Sequence, residues 1–456
     1  MTQPFPCEPQ RARRGSNEIV TEDSGAIEFA RIYVDKLRFD NDAGVWREWN
    51  GSVWRESKKG LAFHFAREMA RDLAANEPDK VRYVSSKTSF AAGVERFARA
   101  DPVFATTAEF WDRDPLLLGT PSGVVDLRTG RQRAAKPGDG ITKATAVAPS
   151  RNSDCPLWTR FLGEATGGDE QMIRFLRQWA GYCLTGDTRE HALVFIFGPG
   201  ENGKSVFLNV LTSILGPYAT VATMDAFIAS KGERHSTELA MLHGARLVTA
   251  SETEEGRPWA EARIKQLTGG DPITARFMNR DNFTFRPTFK LTIVGNYKPV
   301  LRTVDNAQRR RFNLIPFIHR PATPDRQLEQ KLQTEWPAIL RWAIEGCLDW
   351  QANGLTRPSS VMAATEAYFA DQDLIGQWIS DECDAEPGNS WKTATSAALF
   401  ASWTSYATRA GEKPGSRKPF AEELERRGLE NKRGTGGKRE FHGIRFKPDS
   451  DVSDAK

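Results

Sequence analysis

The stretch from Leu193 to Asn209, LVFIFGPGENGKSVFLN, decides the fold. Its opening residues (Leu193, Val194, Phe195, Ile196, Phe197) are all apolar and read as a buried strand. Gly198, Pro199, Gly200, Glu201, Asn202, Gly203, Lys204 and Ser205 then fit G-x-x-x-x-G-K-[ST] at every fixed position. Val206, Phe207, Val210, Leu211 and Ile214 follow at helical spacing. Strand, glycine-rich loop and helix in that order form a phosphate-binding loop. The glycines let backbone N–H groups converge on phosphate oxygens, and the helix N-terminus adds partial positive charge. Lys204 is expected against the β- and γ-phosphates, with the Ser205 hydroxyl on Mg²⁺. The implied class is an α/β P-loop protein that takes a nucleoside triphosphate.

A phosphate loop does not say what the bound energy is used for, and the following residues narrow the choice. ARLVTASETEEG, residues 245–256, offers an apolar strand ending at Glu252. An acid at a strand tip beside the loop can hold the Mg²⁺ shell or polarise an attacking water. Glu254 and Glu255 compete for that role but lie past the strand. FKLTIVGNYKPVL, residues 289–301, is a second buried strand ending at Asn296, whose amide could bond the γ-phosphate or simply form a turn beside Gly295. Arg309, Arg310 and Arg311 precede a third apolar run, FNLIPFI. They are either a source of fixed positive charge for a phosphoryl-transfer transition state or a solvated basic edge.

Working outward, residues 1 to about 25 are polar, basic and proline-bearing and read as a disordered tail. A helix is expected from Ala26, and VWREWNGSVWRE forms a hairpin around Asn50-Gly51. Its tryptophans read as core rather than as base-stacking surfaces. Helices follow at 60–75 and 88–100, then a short strand within 119–131 that ends in a turn at Thr129-Gly130. This first domain runs to about residue 156 through a proline-rich connection, and helices at 157–190 lead into the nucleotide-binding core at 191–320. A helical segment occupies 321–375. The end, 376–456, is a compact basic domain of two or three helices and a hairpin. Twelve Lys/Arg face six Glu between Arg409 and Lys447. That excess reads either as a solvated face or as a winged-helix-like DNA contact through Arg417, Lys418, Arg426, Arg427, Lys432 and Arg433.

Over 456 residues, 39% hydrophobic and 10% aromatic content supplies real cores. A net charge of +4 permits a nucleic-acid partner without requiring one. Cys7, Cys155, Cys183, Cys347 and Cys383 are scattered, with no C-x-x-C pair, which argues against a disulfide framework or a cysteine zinc site. No signal-peptide core or membrane-length apolar run occurs, so a cytoplasmic location with no membrane partner is expected.

The order of these elements resembles the phage and plasmid primase-helicase family, whose motor belongs to helicase superfamily three within the AAA+ class. Gly198 to Ser205 matches its P-loop, Glu252 its acid-tipped strand, Asn296 its sensor and Arg310-Arg311 its arginine finger, with Arg311 the first choice. Residues 260–287 look like its B-prime segment. Spacings of 48 (252 − 204), 44 (296 − 252) and 15 (311 − 296) suit so compact a motor. The resemblance implies a hairpin with its tip at 278–282 gripping DNA. Arg280 and Lys265 are the expected phosphate contacts, with Arg276 and Lys298 beside them. Residues 40–185 look like the family's helical domain and the basic C-terminus like its DNA-binding tail. Too few residues precede the hairpin for a polymerising primase, so a primase is expected as a separate protein. The implied function is an ATP- and Mg²⁺-dependent DNA helicase of phage, prophage or plasmid replication. It works as a homo-oligomeric ring, a hexamer, on single-stranded or forked DNA. The rival readings are an ATP-dependent remodeller or loader without unwinding and a non-catalytic prophage-remnant DNA-binding protein.

Overall fold

The computed structural model describes residues 19–228, 237–252, 259–278, 281–298, 300–301, 306–321, 323–433 and 438–447. Helix α1 (Glu22–Tyr33) opens inside the stretch assigned to the tail, because Thr21 and Ser24 form a capping box that satisfies its first N–H groups. Strands β1 (Leu37–Asp40), β2 (Val45–Trp49) and β3 (Trp54–Glu56) make an antiparallel meander. The Asn50 side chain closes the β2–β3 turn by accepting from the N–H groups of Ser52 and Val53. Helices α1, α2 (Leu61–Leu73) and α4 (Thr88–Ala100) share a core with this sheet, α3 (Asp79–Ser85) lies against α2 and α4, and β4 (Ala105–Thr106) joins β1 in parallel. Trp46 and Trp54 are buried and donate their indole N–H groups to Glu95 and to the Pro137 carbonyl, so both are core residues. A second meander, β5 (Leu117–Thr120), β6 (Gly123–Asp126) and β7 (Arg131–Arg133), replaces the lone short strand expected there.

Helices α5 (Pro156–Thr166) and α6 (Glu170–Cys183) lead into a parallel α/β unit. It comprises β8 (Leu193–Phe197), α7 (Lys204–Leu215), β9 (Ala219–Val221), α8 (Thr237–Ala240), β10 (Leu247–Glu252), α9 (Glu261–Gly269), the hairpin β11 (Ile273–Arg276) and β12 (Asn282–Phe285), β13 (Lys290–Gly295), α10 (Asn306–Arg311) and β14 (Phe312–Pro316). Five strands form one sheet in the order β14-β8-β13-β10-β9, and every pairing in it is parallel. Alternation along β8 sends Val194 and Ile196 to one face and Leu193 and Phe195 to the other. The first face packs on α5, α6, α7 and, after α11 (Leu328–Leu332), on α12 (Trp336–Asn353). The second packs on α9, the hairpin and α13 (Ser359–Gln372), which contributes Tyr368 and Phe369. A sheet covered on both faces explains why these strands read as unbroken apolar runs.

Helices α6 and α12 cross at touching backbones. A Cβ on Gly181 would stand 2.1 Å from the Cys347 nitrogen, and one on Gly346 would stand 2.0 Å from the Arg177 carbonyl oxygen. The carboxyl end of α6 rests on two buried cations at the sheet's lower edge. Arg246 donates to the Leu184 and Leu117 carbonyls, and Lys290 donates to those of Thr185, Asp187 and Thr288. Cations suit the carbonyl end of a helix. The remainder is a small unit of α14 (Leu374–Glu382), β15 (Cys383–Ala385), β16 (Thr393–Thr395), α15 (Ser396–Arg409), α16 (Arg417–Arg426), β17 (Glu430–Arg433), β18 (Arg439–His442) and β19 (Ile444–Phe446), with its own core around Trp378, Trp403 and Phe420. Among the described residues no helix is long and apolar enough to cross a membrane.

Burial, the largest influence, pushes the Lys290 ammonium down to about 7, with the nearby Arg246 charge acting in the same direction. An unfolded lysine keeps its proton to about pH 10.4. Between those values the unfolded chain binds more protons, so the cost of burying Lys290 shrinks as pH rises. The unfolding free energy of the wild type, relative to that of Lys290→Met, is therefore expected to rise by about 1 kcal/mol per unit between pH 7 and 9, and to be flat below pH 7. Denaturant titrations across this range measure it, and a difference independent of pH would show that the folded chain keeps Lys290 charged.

Candidate functional site

Parallel register sets the geometry. Phe197 ends β8 opposite Gly295 of β13 and Pro316 of β14, and Gly295 in turn lies opposite Glu252 of β10. The Gly198–Ser205 loop, Asn296 and Glu252 therefore leave the carboxyl ends of adjacent strands at one level. That is where open α/β sheets place their ligands. Glu252 stands two strands from Phe197, about 10 Å at ordinary strand spacing, while Asn296 is next door and exposed. Glu254, Glu255 and the side chain of Glu252 lie outside the described residues.

The loop is held in a conformation that glycine makes accessible. Gly203 has φ +83° and Glu201, unusually for a side-chain-bearing residue, φ +65°. A Cβ on Gly198 would collide with the Phe317 carbonyl oxygen at 1.9 Å, and one on Gly203 with the Phe161 ring of α5 at 2.5 Å. Helix α7 begins with Gly203 as its N-cap and has no side-chain cap, so its first-turn N–H donors have no side-chain oxygen on them. An anion suits that arrangement. Buried Lys204 donates from Nζ to the carbonyls of Gly198 (2.7 Å) and Pro199 (3.0 Å) and to Asn202 Oδ1 (2.9 Å). Burial lowers its proton affinity, and the Arg320 guanidinium lowers it further. Ser205 is exposed at the first turn of α7. Asn202, expected among the cofactor contacts, is 2% exposed and committed to structure: its amide donates to the Phe317 carbonyl while its oxygen accepts from Lys204. It staples the loop to the chain leaving β14, a role invisible in the motif.

The arginine triplet sits at the other edge of the sheet. Helix α10 ends at Arg311, and Phe312 starts β14 opposite Leu193, the first residue of β8. A five-residue strand puts about 16 Å between that edge and the loop. Arg309 is tied to Glu366 (2.9 Å) and lies over the Phe369 ring. Arg310 is exposed; its Nε donates back to the Asn306 carbonyl, while its own carbonyl accepts from the Arg357 guanidinium. Arg311 is half-buried, donating Nη1 to the Ala307 carbonyl, while its buried Nε has no partner among the described residues.

The hairpin β11–β12 presents two faces. Ile273, Ala275 and Phe285 turn inward, and a ladder of rings runs out along that face, with Phe285 and Phe283 5.8 Å apart and Phe283 and Phe277 stacked at 5.1 Å. His243, whose proton affinity burial lowers, abuts Phe283 and Phe285. Thr274, Arg276, Asn282 and Thr284 are exposed on the opposite face, and Phe277 and Met278 stand 41% and 76% exposed at the tip. Of the expected DNA contacts, Arg276 is thus on the solvent face, while Arg280 lies outside the described residues. Lys265 is half-buried on α9 and already partnered. Lys298 does not join them: its ammonium lies 5.0 Å from the Phe197 ring centre, at the phosphate-loop end. In the C-terminal unit Arg427 pairs with Asp373 and Glu423, Arg426 with Glu423 and Lys432 with Glu430. Arg417 and Lys418 instead line a groove with Lys438 and Arg439, two residues that sequence reasoning passed over.

Two family models match the chain. One, described as D5 N terminal like, covers residues 26–167, and the other, a family of unknown function, covers residues 196–311. A protein of Acanthamoeba polyphaga mimivirus named as a candidate helicase is 26% identical over 296 residues, 59% of this chain and 31% of that protein. One of Frog virus 3, also named as a candidate helicase, is 25% identical over 262 residues, 52% and 27% of the two chains. One of African swine fever virus, named as a candidate primase, is 22% identical over 353 residues, 70% and 36%. The chain spans about a third of the length of these relatives. The solved apo C-terminal region of NrS-1 (residues 305–718) superposes with a TM-score of 0.49 at 11% identity, over 92% of this chain and 99% of that one. A D5 N-terminal-like segment leading into a phosphate-loop segment, together with relatives named for helicase and primase, supports a D5-type primase-helicase family for this chain, at low identity.

Proposed function

We propose that the chain is the motor of an ATP-dependent DNA helicase of replication, of the AAA+ class and superfamily three, working as a hexameric ring on single-stranded DNA. The observation that carries this reading is the convergence at one sheet edge of the Gly198–Ser205 loop, Asn296 and the tip of β10, with a projecting hairpin in the same unit. The strand order β14-β8-β13-β10-β9 supports it, since it sets one strand between the loop's strand and the acid-tipped one. That interval leaves room for phosphate, metal and water.

The residues fit a nucleoside triphosphate with Mg²⁺. Lys204 exchanges its loop carbonyls for the β- and γ-phosphate oxygens, and the uncapped N–H groups of α7 surround them. Ser205 and Glu252 would hold Mg²⁺, a sparse protein set of the kind that ion accepts when phosphates supply the rest, and the ion would supply positive charge against that developing on the phosphates. Asn296 aligns the γ-phosphate, and Glu252 orients the attacking water. Arg311 cannot reach its own loop across the length of β14, so it serves the neighbouring subunit, with the more exposed Arg310 beside it. The hairpin carries Arg276 and the stacked Phe277 toward the strand, where aromatic rings hold bases and arginine holds phosphate. The winged-helix-like C-terminal unit adds a backbone contact through Arg417 and Lys418.

Hydrolysis stimulated by single-stranded DNA, in a particle of ring mass by light scattering, is the expected result; stimulation without strand displacement would favour a remodeller. Lys204→Ala and Arg311→Ala are each expected to abolish hydrolysis, the second while still binding nucleotide. Mixing the two dead variants should recover activity, because some interfaces then pair an intact Lys204 with an intact Arg311. Mixed particles that form yet stay inactive would refute the shared site. Asn202→Ala leaves the Phe317 carbonyl without its staple, so roughly 1–3 kcal/mol of stability should be lost together with about tenfold in nucleotide affinity. Denaturant titration and fluorescent-nucleotide binding measure the two.

A further inference from the structure

Helix α10 is six residues long, yet it carries Arg310 and Arg311. A helix that short is marginal on its own hydrogen bonds, so its position is set by what grips it. Its carbonyl end is held at two successive residues. The half-buried Arg357 guanidinium donates to the Arg310 carbonyl. The buried Asn313 amide donates to the Arg311 carbonyl at 3.3 Å and to that of Leu193 at 3.0 Å. Helix α13 holds Arg309, through Glu366 at 2.9 Å and the Phe369 ring. A cation is the side chain that suits the carbonyl end of a helix.

Arg357 reaches α10 from the connection between α12 and α13, and that connection is itself fixed. Thr356 donates its N–H to Oε1 of buried Gln178 on α6 at 2.9 Å, and Gln178 donates in turn to Asp349 of α12 at 3.0 Å. Leu355 packs against the core to which α6 and α12 contribute. Contacts therefore run from the α6–α12 pair, through Arg357, to the peptide unit that joins Arg310 to Arg311.

We propose that Arg357 is a positioning residue, which fixes the Arg310–Arg311 peptide and so aims Arg311 at the nucleotide of the neighbouring subunit. The inference rests on the role in a shared site given to Arg311 above. Arg357 acts through α10, at the edge of the sheet opposite its own phosphate loop. A guanidinium suits the task because it stays charged and its planar donors keep one direction. Without it the end of a short helix loses one of its two braces, and misplacing a reacting group by about 1 Å is enough to cost on the order of a hundredfold in rate.

The test uses the full chain. Arg357→Ala should lower the turnover of ATP about tenfold to a hundredfold, while fluorescent-nucleotide affinity and ring mass by light scattering stay at wild-type values. Arg357→Lys, which keeps a cationic donor for the carbonyl, should recover part of the loss, and it carries the same test should Arg357→Ala not assemble. Mixing then decides between aiming Arg311 and bracing the fold. Arg357→Ala mixed with Lys204→Ala should regain activity, because some interfaces pair an intact loop with a well-aimed Arg311. Mixed with Arg311→Ala it should not, because every Arg311 position in the ring is then defective. Wild-type turnover in Arg357→Ala, or any other mixing pattern, would overturn the assignment while leaving the shared site standing. If Lys204→Ala and Arg311→Ala form mixed rings yet fail to complement each other, the shared site falls and this role falls with it.

Discussion

The parallel pairing of β8 with β13 on one side and β14 on the other is the constraint on which the site depends. Each strand brings one functional element to its carboxyl end, and the register fixes those elements at one height. Slipping β13 by a single residue would carry Asn296 away from the loop and turn Leu291 and Ile293 from one core face to the other. Hydrophobic packing on both faces of the sheet thus enforces the alignment of polar groups at its edge.

Buried polar groups divide the molecule along the same axis. At the lower edge Arg246 and Lys290 meet carbonyls at the end of α6, and these contacts tie the preceding helices to the sheet. At the upper edge Lys204 and Asn202 meet carbonyls of the loop and of Phe317. The lower contacts join elements of one rigid core. The upper ones involve a loop whose donors a ligand can take over, since carbonyl acceptors exchange for phosphate oxygens with gain in charge complementarity. The same chemistry serves architecture at one end and, on the proposed reading, recognition at the other.

Charge behaves differently on the surface. The basic excess near the C-terminus shrinks when its partners are counted, because Arg426, Arg427 and Lys432 sit against carboxylates. Arg417, Lys418, Lys438 and Arg439 line one groove, which also carries Glu422 and Glu425. A count along the chain sums charges that the fold partly cancels in space.

The sequence by itself determined the phosphate loop, the apolar strands and the helices around them, because those signals are local. Five apolar residues followed by a glycine-rich turn and helical spacing admit one chain path, and the helices at 61–73 and 88–100 follow from their periodicity alone. It also located Glu252 and Asn296 as polar residues ending apolar strands. Only tertiary structure decided which strands are neighbours and which cations stay free. It also decided that Asn202 braces the loop. Such contacts join residues distant in sequence, as Asn202 and Phe317 are, and no local pattern encodes a pairing at that separation.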